Sequence, residues 1–121
     1  MKIHQEKSKE YAYVYIIADN NNYIKIGISK NPKRRIKQLQ TAYPTKLNIL
    51  FTEEFYCTRN HLLKIEKLIH QNVKHIVKKV NGEWFKITSD ALQEIKNLIT
   101  FYRIRYEDDE ISLKYKSLNS Y

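Results

Sequence analysis

The sequence has a single cysteine and no long hydrophobic run. Because Cys57 has no second cysteine in the chain, an intramolecular disulfide and a zinc centre built on several thiolates are excluded, and a reducing compartment fits. A membrane-spanning helix needs about 18 or more consecutive apolar residues, and no stretch approaches that length. The start of the chain, Met1 to Glu10, is polar rather than typical of a signal sequence. We therefore expect a soluble, cytoplasmic or intracellular protein that is not secreted.

Acidic residues are missing from one long segment of the chain, residues 25–46. Every charged side chain in that segment is basic, namely Lys25, Lys30, Lys33, Arg34, Arg35, Lys37 and Lys46. The whole chain has 22 Lys and Arg against 13 Asp and Glu, for a net charge of +9, but beyond Thr88 the acids outnumber the bases. The positive charge is therefore concentrated, which favours a surface that binds a polyanion. The alternative is a solvated lysine-rich surface. An anionic lipid surface is disfavoured because no helix combines a basic face with a broad apolar one.

Length and composition predict one globular domain. A chain of 121 residues buries roughly two-thirds of its unfolded surface on folding, and a hydrophobic fraction of 42% with ten tyrosines provides a core. No internal repeat is present. We expect a flexible N-terminal segment over residues 1–10, a folded domain over residues 11–106 and an acidic, polar tail over residues 107–121.

Alternating side chains predict a hairpin at the start of this domain. Residues 11–17 and 23–28 each alternate in the manner of a strand, and the turn formers of residues 19–22 separate them. If the isoleucines face the core, the tyrosines of the first strand share the opposite face with Tyr23, Lys25 and Gly27. Gly27 then leaves room for a close approach by a substrate backbone or by another strand.

Capping residues and apolar periodicity predict three helices. Asn31 and Pro32 begin a helix that reaches about Ala42, a longer helix runs from about residue 58 to residue 75, and residues 88–90 with Gln93 begin the last one. Strands are expected over residues 47–55 and 83–87. The elements predict an α+β fold, with a small three-stranded antiparallel sheet flanked by helices and a C-terminal helix. After Arg105 we expect a solvated extension or a weakly docked strand over residues 111–115.

Glu66 is a carboxylate inside the apolar stripe of the second helix. A partly desolvated charge is costly unless a cation or hydrogen-bond donors meet it, so we expect a positive group near Glu66. A salt bridge to Lys64 or to another cation is the simpler alternative to a metal site.

Several short motifs follow one another in a distinctive order. They are Tyr13-Val14-Tyr15, Lys25-Ile26-Gly27, Asn31-Pro32-Lys33-Arg34-Arg35, Glu66, and Gly82-Glu83-Trp84-Phe85. This order resembles the GIY-YIG endonuclease superfamily, in the branch named after a bacteriophage T5 open reading frame. The resemblance covers residues 11–87. It implies a GIY-YIG-like fold and a nuclease that hydrolyses phosphodiester bonds in DNA, in a phage, host-cell or mobile-element setting.

The resemblance also implies roles for individual residues. Tyr15 matches the first motif tyrosine, Arg35 would stabilise the charge that grows on the phosphate, and Glu66 would hold one Mg²⁺ or Mn²⁺ ion. His70 matches a histidine of this branch, as a general base or a partner of the metal site, and its alternative role is that of a core-edge histidine. Glu83 would close the site.

Lys25 stands where the wider superfamily has its second motif tyrosine, although the phage-type branch commonly has Lys-Ile-Gly there. A free tyrosine has a pKa near 10, so a phenolate at neutral pH needs a neighbouring cation such as Lys25 or a metal. Tyr23, two positions earlier on the same face, is the alternative source of a phenol. Trp84 and Phe85 are expected in the core rather than stacked on bases.

The first helix is expected to contact nucleic acid. The cations Lys30, Lys33, Arg34 and Lys37 would hold phosphates and add salt dependence without selecting a sequence. DNA is the expected partner, RNA is the alternative, and a partner protein is one source of specificity. Two other hypotheses remain: a nucleic-acid-binding module of the same fold without turnover, and a protein-interaction domain whose acidic tail binds a basic partner or folds back over the basic face.

Overall fold

The computed structural model describes residues 8–79 and 84–118, and in this part of the chain three helices pack around one antiparallel sheet. Side chains are described for residues 8–77 and 84–107. The elements in chain order are β1 (Glu10–Ala18), β2 (Tyr23–Ser29), α1 (Pro32–Gln40), β3 (Asn48–Cys57), α2 (Arg59–Ile76), β4 (Lys78–Lys79), β5 (Trp84–Lys86) and α3 (Ser89–Leu118). The expected α+β class and the C-terminal helix are confirmed.

The sheet has the strand order β3-β1-β2-β5-β4, and all its pairs are antiparallel. The three long strands form the sheet that the sequence predicts. The short strands β4 and β5 extend this sheet beyond β2, so it has five strands where three were expected. Strand β5 lies within the strand predicted over residues 83–87, whereas β4 was not predicted, because a strand of two residues is too short for alternation to be recognised in a sequence.

The hairpin of β1 and β2 has the register that the alternation predicts. Ile16 pairs with Ile26, and Tyr15 lies directly opposite Gly27. Because successive side chains point to opposite faces of a sheet, Ile16 shares one face with the isoleucines of β2, and the tyrosines of β1 share the other with Ile17 and Lys25.

The turn between β1 and β2 is held by a buried carboxylate. Asp19 Oδ1 accepts hydrogen bonds from the backbone N–H groups of Asn21 at 2.8 Å and Tyr23 at 3.1 Å. Asn22 has a φ of 66°, a left-handed conformation that asparagine adopts more readily than most residues. The predicted turn is thus built by side-chain hydrogen bonds as well as by backbone freedom.

Different helices cover the two faces of the sheet. The isoleucine face packs against α2 and α3 in the larger core, which includes Ile65, Ile69 and Ile95. The opposite face packs against α1, where Tyr15 and Ile17 are buried. Each fully buried aliphatic side chain contributes about 1.5–3 kcal/mol, so the larger core accounts for most of the hydrophobic stabilisation.

The helices begin where the capping residues predict. The side-chain oxygens of Asn31, Thr58 and Thr88 each accept a hydrogen bond from the backbone N–H three residues later, at 3.1, 3.2 and 3.3 Å. These bonds satisfy donors that the first turn of a helix leaves open. Gln93, which was expected to take part in the last cap, instead donates to the Asn97 side chain at 3.0 Å.

Helix α1 ends at Gln40, two residues before the predicted end at Ala42. The Gln40 side chain is bonded to the loop that follows: its Nε2 donates to the carbonyl oxygens of Tyr43 at 3.3 Å and Thr45 at 2.8 Å, and its Oε1 accepts from the Leu47 N–H at 2.8 Å. These three bonds turn the chain toward β3 instead of continuing the helix.

Helix α3 continues to Leu118 and passes through the predicted domain limit at residue 106. The strand considered over residues 111–115 is not formed, because the backbone there is helical. The predicted flexible segment overlaps β1 at Glu10, and residues 1–7 lie outside the described part of the chain. Within the described residues, none of the helices has the length and hydropathy needed to cross a membrane.

Candidate active site

A cleft of about 540 Å³ opens where β2 runs past the end of β5. Strand β5 pairs only with residues 23–25 of β2, which leaves residues 26–29 at the edge of the sheet within the described part of the chain. The cleft is lined by Tyr15, Lys25, Ile26, Gly27, Ile28, Arg35, Arg59, Glu66, Lys67 and His70. Side chains from β1, β2, α1 and α2 therefore converge at this edge.

Tyr15 reaches the cleft because its cross-strand partner is a glycine. The Tyr15 side chain is almost fully buried, and its ring lies over Gly27. A Cβ atom on Gly27 would lie only 2.6 Å from the Tyr15 Cζ and closer still to its hydroxyl oxygen. The space that Gly27 was expected to leave for a substrate or another strand is thus occupied by the phenol of Tyr15.

Arg35 comes from the second turn of α1 and faces the same cleft. Its side chain is half-buried, and its Nη1 lies 3.5 Å from Gln38 Oε1. A guanidinium offers a planar fork of donors that matches two phosphate oxygens. Arg35 therefore places a permanent positive charge beside Tyr15.

Helix α2 forms the opposite wall of the cleft with Glu66 and His70. Glu66 is half-buried, as its position inside the apolar stripe predicts. His70 Nε2 lies 2.9 Å from the backbone oxygen of Ile26. Because a carbonyl oxygen only accepts, this nitrogen carries the proton, and in the neutral ring Nδ1 holds the lone pair. His70 thus fastens α2 to the β2 edge, as a core-edge histidine would, and also lines the cleft.

A series of side-chain contacts connects Lys25 to the buried carboxylate in the turn between β1 and β2. Its Nζ lies 6.0 Å from the centre of the Trp84 ring, the residue that pairs with it across β2 and β5. Trp84 stacks on Tyr43 with 4.8 Å between ring centres, and the Tyr43 hydroxyl donates to Asp19 Oδ2 at 2.7 Å. Trp84 is half-buried and Phe85 is fully buried, which agrees with the expectation that both residues pack rather than stack on bases.

The contact between Tyr43 and Asp19 shifts both pKa values. Burial, together with the hydrogen bond to Asp19 and the charge of that carboxylate, raises the pKa of Tyr43 to about 12. Burial also acts to raise the pKa of Asp19, but the hydrogen bonds from Tyr43, Asn21 and Tyr23 outweigh it, and the pKa of Asp19 is lowered. The pair is therefore an ionised carboxylate held by a neutral phenol.

The structure brings five of the predicted site residues into the cleft: Tyr15, Lys25, Arg35, Glu66 and His70. Tyr23 is not among the lining residues; it pairs with Lys86 at the start of β2. Glu83 lies outside the described residues. The predicted phosphate-binding cations also lie elsewhere: Lys30 and Lys33 line a groove on the other side of α1, and Arg34 and Lys37 are exposed on that helix.

Two cations of the cleft, Arg59 and Lys67, were not predicted from the sequence. They are exposed residues of α2 on the same side as Glu66 and His70. Arg59 lies seven residues, about two helical turns, before Glu66, and Lys67 lies three residues before His70, so each cation has the spacing of residues on one side of a helix. That spacing is the signal for them in the sequence.

The lining residues fit a metal ion that arrives with its substrate. Among the described residues no group of three or more His, Cys, Asp or Glu side chains could hold a metal by itself, and Glu66 is the one carboxylate described in the cleft lining. Mg²⁺ keeps several waters and binds through one or two carboxylates plus substrate phosphates. The described lining, with the Glu66 carboxylate and four cations that could hold substrate phosphates, meets that requirement.

These observations define a small α+β domain with a basic cleft beside its sheet, and the described lining of this cleft has one carboxylate. The chain matches the T5orf172 domain over residues 10–100, which include every residue that lines the cleft. The chain therefore belongs to the T5orf172 domain family, and the resemblance seen in its motifs is confirmed at that level. The family assignment indicates a nuclease-like or DNA-associated domain. Comparisons with curated proteins and with solved structures give no match.

Proposed function

We propose that the protein is an endonuclease that hydrolyses phosphodiester bonds in DNA with one divalent metal ion, Mg²⁺ or Mn²⁺. The observation that carries this proposal is the meeting of Tyr15, Arg35 and Glu66 in one cleft, although they lie on three elements far apart in the sequence. Hydrolysis needs a base near the attacking water and a cation on the phosphate oxygens where negative charge grows. Tyr15 and Arg35 are the groups of that kind.

Each residue of the cleft has its own role in the proposed hydrolysis. Arg35 binds the non-bridging oxygens of the scissile phosphate and stabilises their increased charge. The Tyr15 hydroxyl, fixed over Gly27, orients the attacking water, and Lys25 on the neighbouring strand adds positive charge to the phosphate-binding cleft. Glu66 is the ligand for the metal, which when bound would stabilise charge on the leaving oxygen. His70 holds the α2 wall against the β2 edge.

Arg59 and Lys67 extend the positive surface of the cleft along α2. Cations of this kind bind phosphates and do not read bases, so sequence selection would come from another surface or from a partner protein. The residues of the cleft therefore cleave the DNA and do not select its sequence.

The test is nicking of supercoiled plasmid by the purified protein with Mg²⁺, Mn²⁺ or EDTA. We expect nicking with either metal and none with EDTA. Glu66→Gln should lower the nicking rate by at least about 100-fold, the order of loss for a group that stabilises transition-state charge, while DNA binding persists. The matched control is Glu94→Gln, which changes an exposed carboxylate on α3 outside the cleft and should cut normally.

A second candidate function is a nucleic-acid-binding module without turnover. It is favoured by Lys25 in the place of a motif tyrosine and by the single described carboxylate in the cleft lining. If the unmutated protein binds DNA but never nicks it with either metal, this second function replaces the first. Equal nicking by the Glu66→Gln and Glu94→Gln proteins would instead remove Glu66 from the mechanism.

A further inference from the structure

Two tyrosines at the far end of the sheet form an exposed aromatic surface. Tyr11 on β1 and Tyr56 on β3 are directly paired, their ring centres lie 4.6 Å apart, and 61% and 50% of their surfaces are exposed. Single exposed aromatic residues are common, but two adjoining rings give a continuous patch that water solvates poorly. The patch lies on the tyrosine face of the sheet, beyond the part that α1 covers.

This pair lies next to a groove that carries positive charge. The groove, of about 470 Å³, runs between the start of α1 and the surface of β1 and β3, and its lining includes Tyr13, Lys30 and Lys33. Tyr13 is two residues from Tyr11 on the same face of β1. The aromatic surface and the two lysines therefore belong to one continuous region.

The same region is connected to the cleft through β1. Tyr11 and Tyr15 are four residues apart, which is about 13 Å along a strand. Successive phosphates of one DNA strand are about 3.4 Å apart along the duplex axis. A nucleic-acid strand with one phosphate in the cleft thus has nucleotides within reach of the tyrosine pair.

The charges around the pair favour a base over a phosphate. Glu54 lies on β3 opposite Tyr13 and accepts its hydroxyl hydrogen bond at 2.8 Å. Glu10, next to Tyr11, is ion-paired with Lys30 at 2.7 Å. The ion pair compensates the charge of Glu10, but the charge of Glu54 repels a phosphate placed directly over the rings, whereas a neutral base stacks on an aromatic ring irrespective of its identity.

We propose that Tyr11 and Tyr56 form a stacking platform for unpaired bases of the bound strand, with its phosphates over Lys30 and Lys33. The substrate is then a nucleic acid with a single-stranded segment beside the cut, such as an overhang, a flap or a fork. The link to cutting rests on the function proposed above, but base stacking on the platform does not.

The experiment measures binding in EDTA, where no cutting occurs, to two labelled DNA molecules of equal duplex length. One is blunt and the other carries a single-stranded overhang. We expect Tyr11→Ala and Tyr56→Ala together to weaken binding of the overhang DNA by about tenfold, the order found for a lost base stack, and to change binding of the blunt DNA by less than about twofold. Tyr11→Phe with Tyr56→Phe keeps the ring faces and should bind the overhang DNA normally.

The matched control is Phe101→Ala, which removes an aromatic residue with 57% exposure from α3 and should change neither affinity. Thermal unfolding of each variant checks that the sheet is intact. Equal losses with both DNA molecules, or no loss with either, would overturn the platform. A dimer in sedimentation experiments that dissociates on Tyr56→Ala would also overturn it and assign this surface to a second copy of the chain.

The two proposals fail separately. If plasmid nicking is never observed but the overhang preference depends on the two tyrosines, the platform stands on a binding module. If nicking depends on Glu66 but the overhang preference is missing, the platform alone is wrong.

Discussion

Tyr15 and Gly27 form the residue pair on which the cleft depends. Tyr15 is buried in the α1 side of the sheet, yet its hydroxyl belongs to the cleft, because its ring crosses the backbone of its partner. Glycine in a strand normally weakens it through lost packing and higher unfolded-state entropy. Here it is the residue type that lets a phenol lie directly over the strand.

Gly27→Ala should therefore displace Tyr15. The added methyl group would lie 2.6 Å from the Tyr15 Cζ, and a clash of this kind in a packed region costs about 1–3 kcal/mol. We expect a lower midpoint in thermal unfolding and nicking reduced by about 100-fold, since a catalytic group moved by about 1 Å loses activity on that order.

A Tyr15→Leu background provides the control for this effect. With the ring removed, Gly27→Ala should have little further influence on stability, and the double-mutant cycle should give a coupling free energy that accounts for most of the loss. If Gly27→Ala lowers stability equally in both backgrounds, the glycine is required for the strand itself and not for Tyr15.

At the scale of elements, capping and alternation were sufficient to place most of the fold. Asn31 and Thr58 fixed the starts of α1 and α2, and the β1–β2 register followed from which residues alternate. Element ends were harder to predict, because they depend on tertiary contacts such as the bonds from Gln40 to the next loop. The end of α3 was missed for a different reason: Glu, Lys and Leu favour helix whether or not a core is present.

The cleft could be predicted in its residues but not in its shape. The motif order indicated Tyr15, Arg35 and Glu66, whereas the shape of the cleft depends on how α1 and α2 pack beside β2, which is set by tertiary contacts. The same limit explains why Arg59 and Lys67 were missed. Their role depends on which side of α2 faces β2, and a charged residue on a helix is usually just solvated.

Helices α1 and α2 should contribute differently to nucleic-acid binding. Replacing Arg59 and Lys67 by alanine removes two cations from the cleft and should lower both DNA affinity and the nicking rate at saturating DNA. Replacing Arg34 and Lys37 removes two exposed cations of α1 outside the cleft lining. That pair should lower affinity but leave the nicking rate at saturating DNA unchanged.

Binding measured against salt concentration separates the contributions. For each cation that contacts a phosphate, the slope of log affinity against log salt should fall by about 1 when the cation is removed. Loss of nicking at saturating DNA in the Arg34 and Lys37 variant, with none in the Arg59 and Lys67 variant, would place the scissile strand along α1 instead of α2.

At the scale of the whole molecule, the cleft lies at the border between two separately packed layers. The α2 and α3 layer is tied to β3 by Arg103, which bonds Glu53 at 2.9 Å; this hydrogen bond, against the effect of burial, raises the pKa of Arg103. The α1 layer is tied to the β1–β2 turn by Tyr43 and Asp19. Both layers must hold their positions for Arg35 and Glu66 to face each other.

Tyr43→Phe should lower the stability of the protein without changing how the ring of residue 43 packs. The substitution removes the hydroxyl that donates to the buried Asp19 carboxylate at 2.7 Å and leaves that charge with its two backbone donors. A hydrogen bond to a charged group contributes about 1.5–3 kcal/mol, so we expect a loss near the middle of that range and a decrease in Tm of roughly 8 °C. Tyr56→Phe, which removes a hydroxyl from an exposed ring, is the control and should unfold like the unmutated protein.

The effect of Tyr43→Phe on the free energy of unfolding should depend on pH. The pKa of Tyr43 is raised to about 12 in the folded protein, whereas an unfolded tyrosine has a pKa of about 10. The Tyr43 hydroxyl therefore contributes fully to the free energy of unfolding below about pH 10, and this contribution is lost as pH rises from about 10 to 12. The pKa of Asp19 is lowered in the folded protein. The ionised Asp19 carboxylate therefore contributes to the free energy of unfolding above the pKa of an unfolded aspartate, about 3.9, and this contribution is lost as pH falls below that value. In Tyr43→Phe the difference in free energy of unfolding from the unmutated protein should therefore be largest near neutral pH and shrink in both the alkaline and the acid window. A difference that stays constant from pH 3 to pH 12 would show that the hydroxyl stabilises the fold through packing alone.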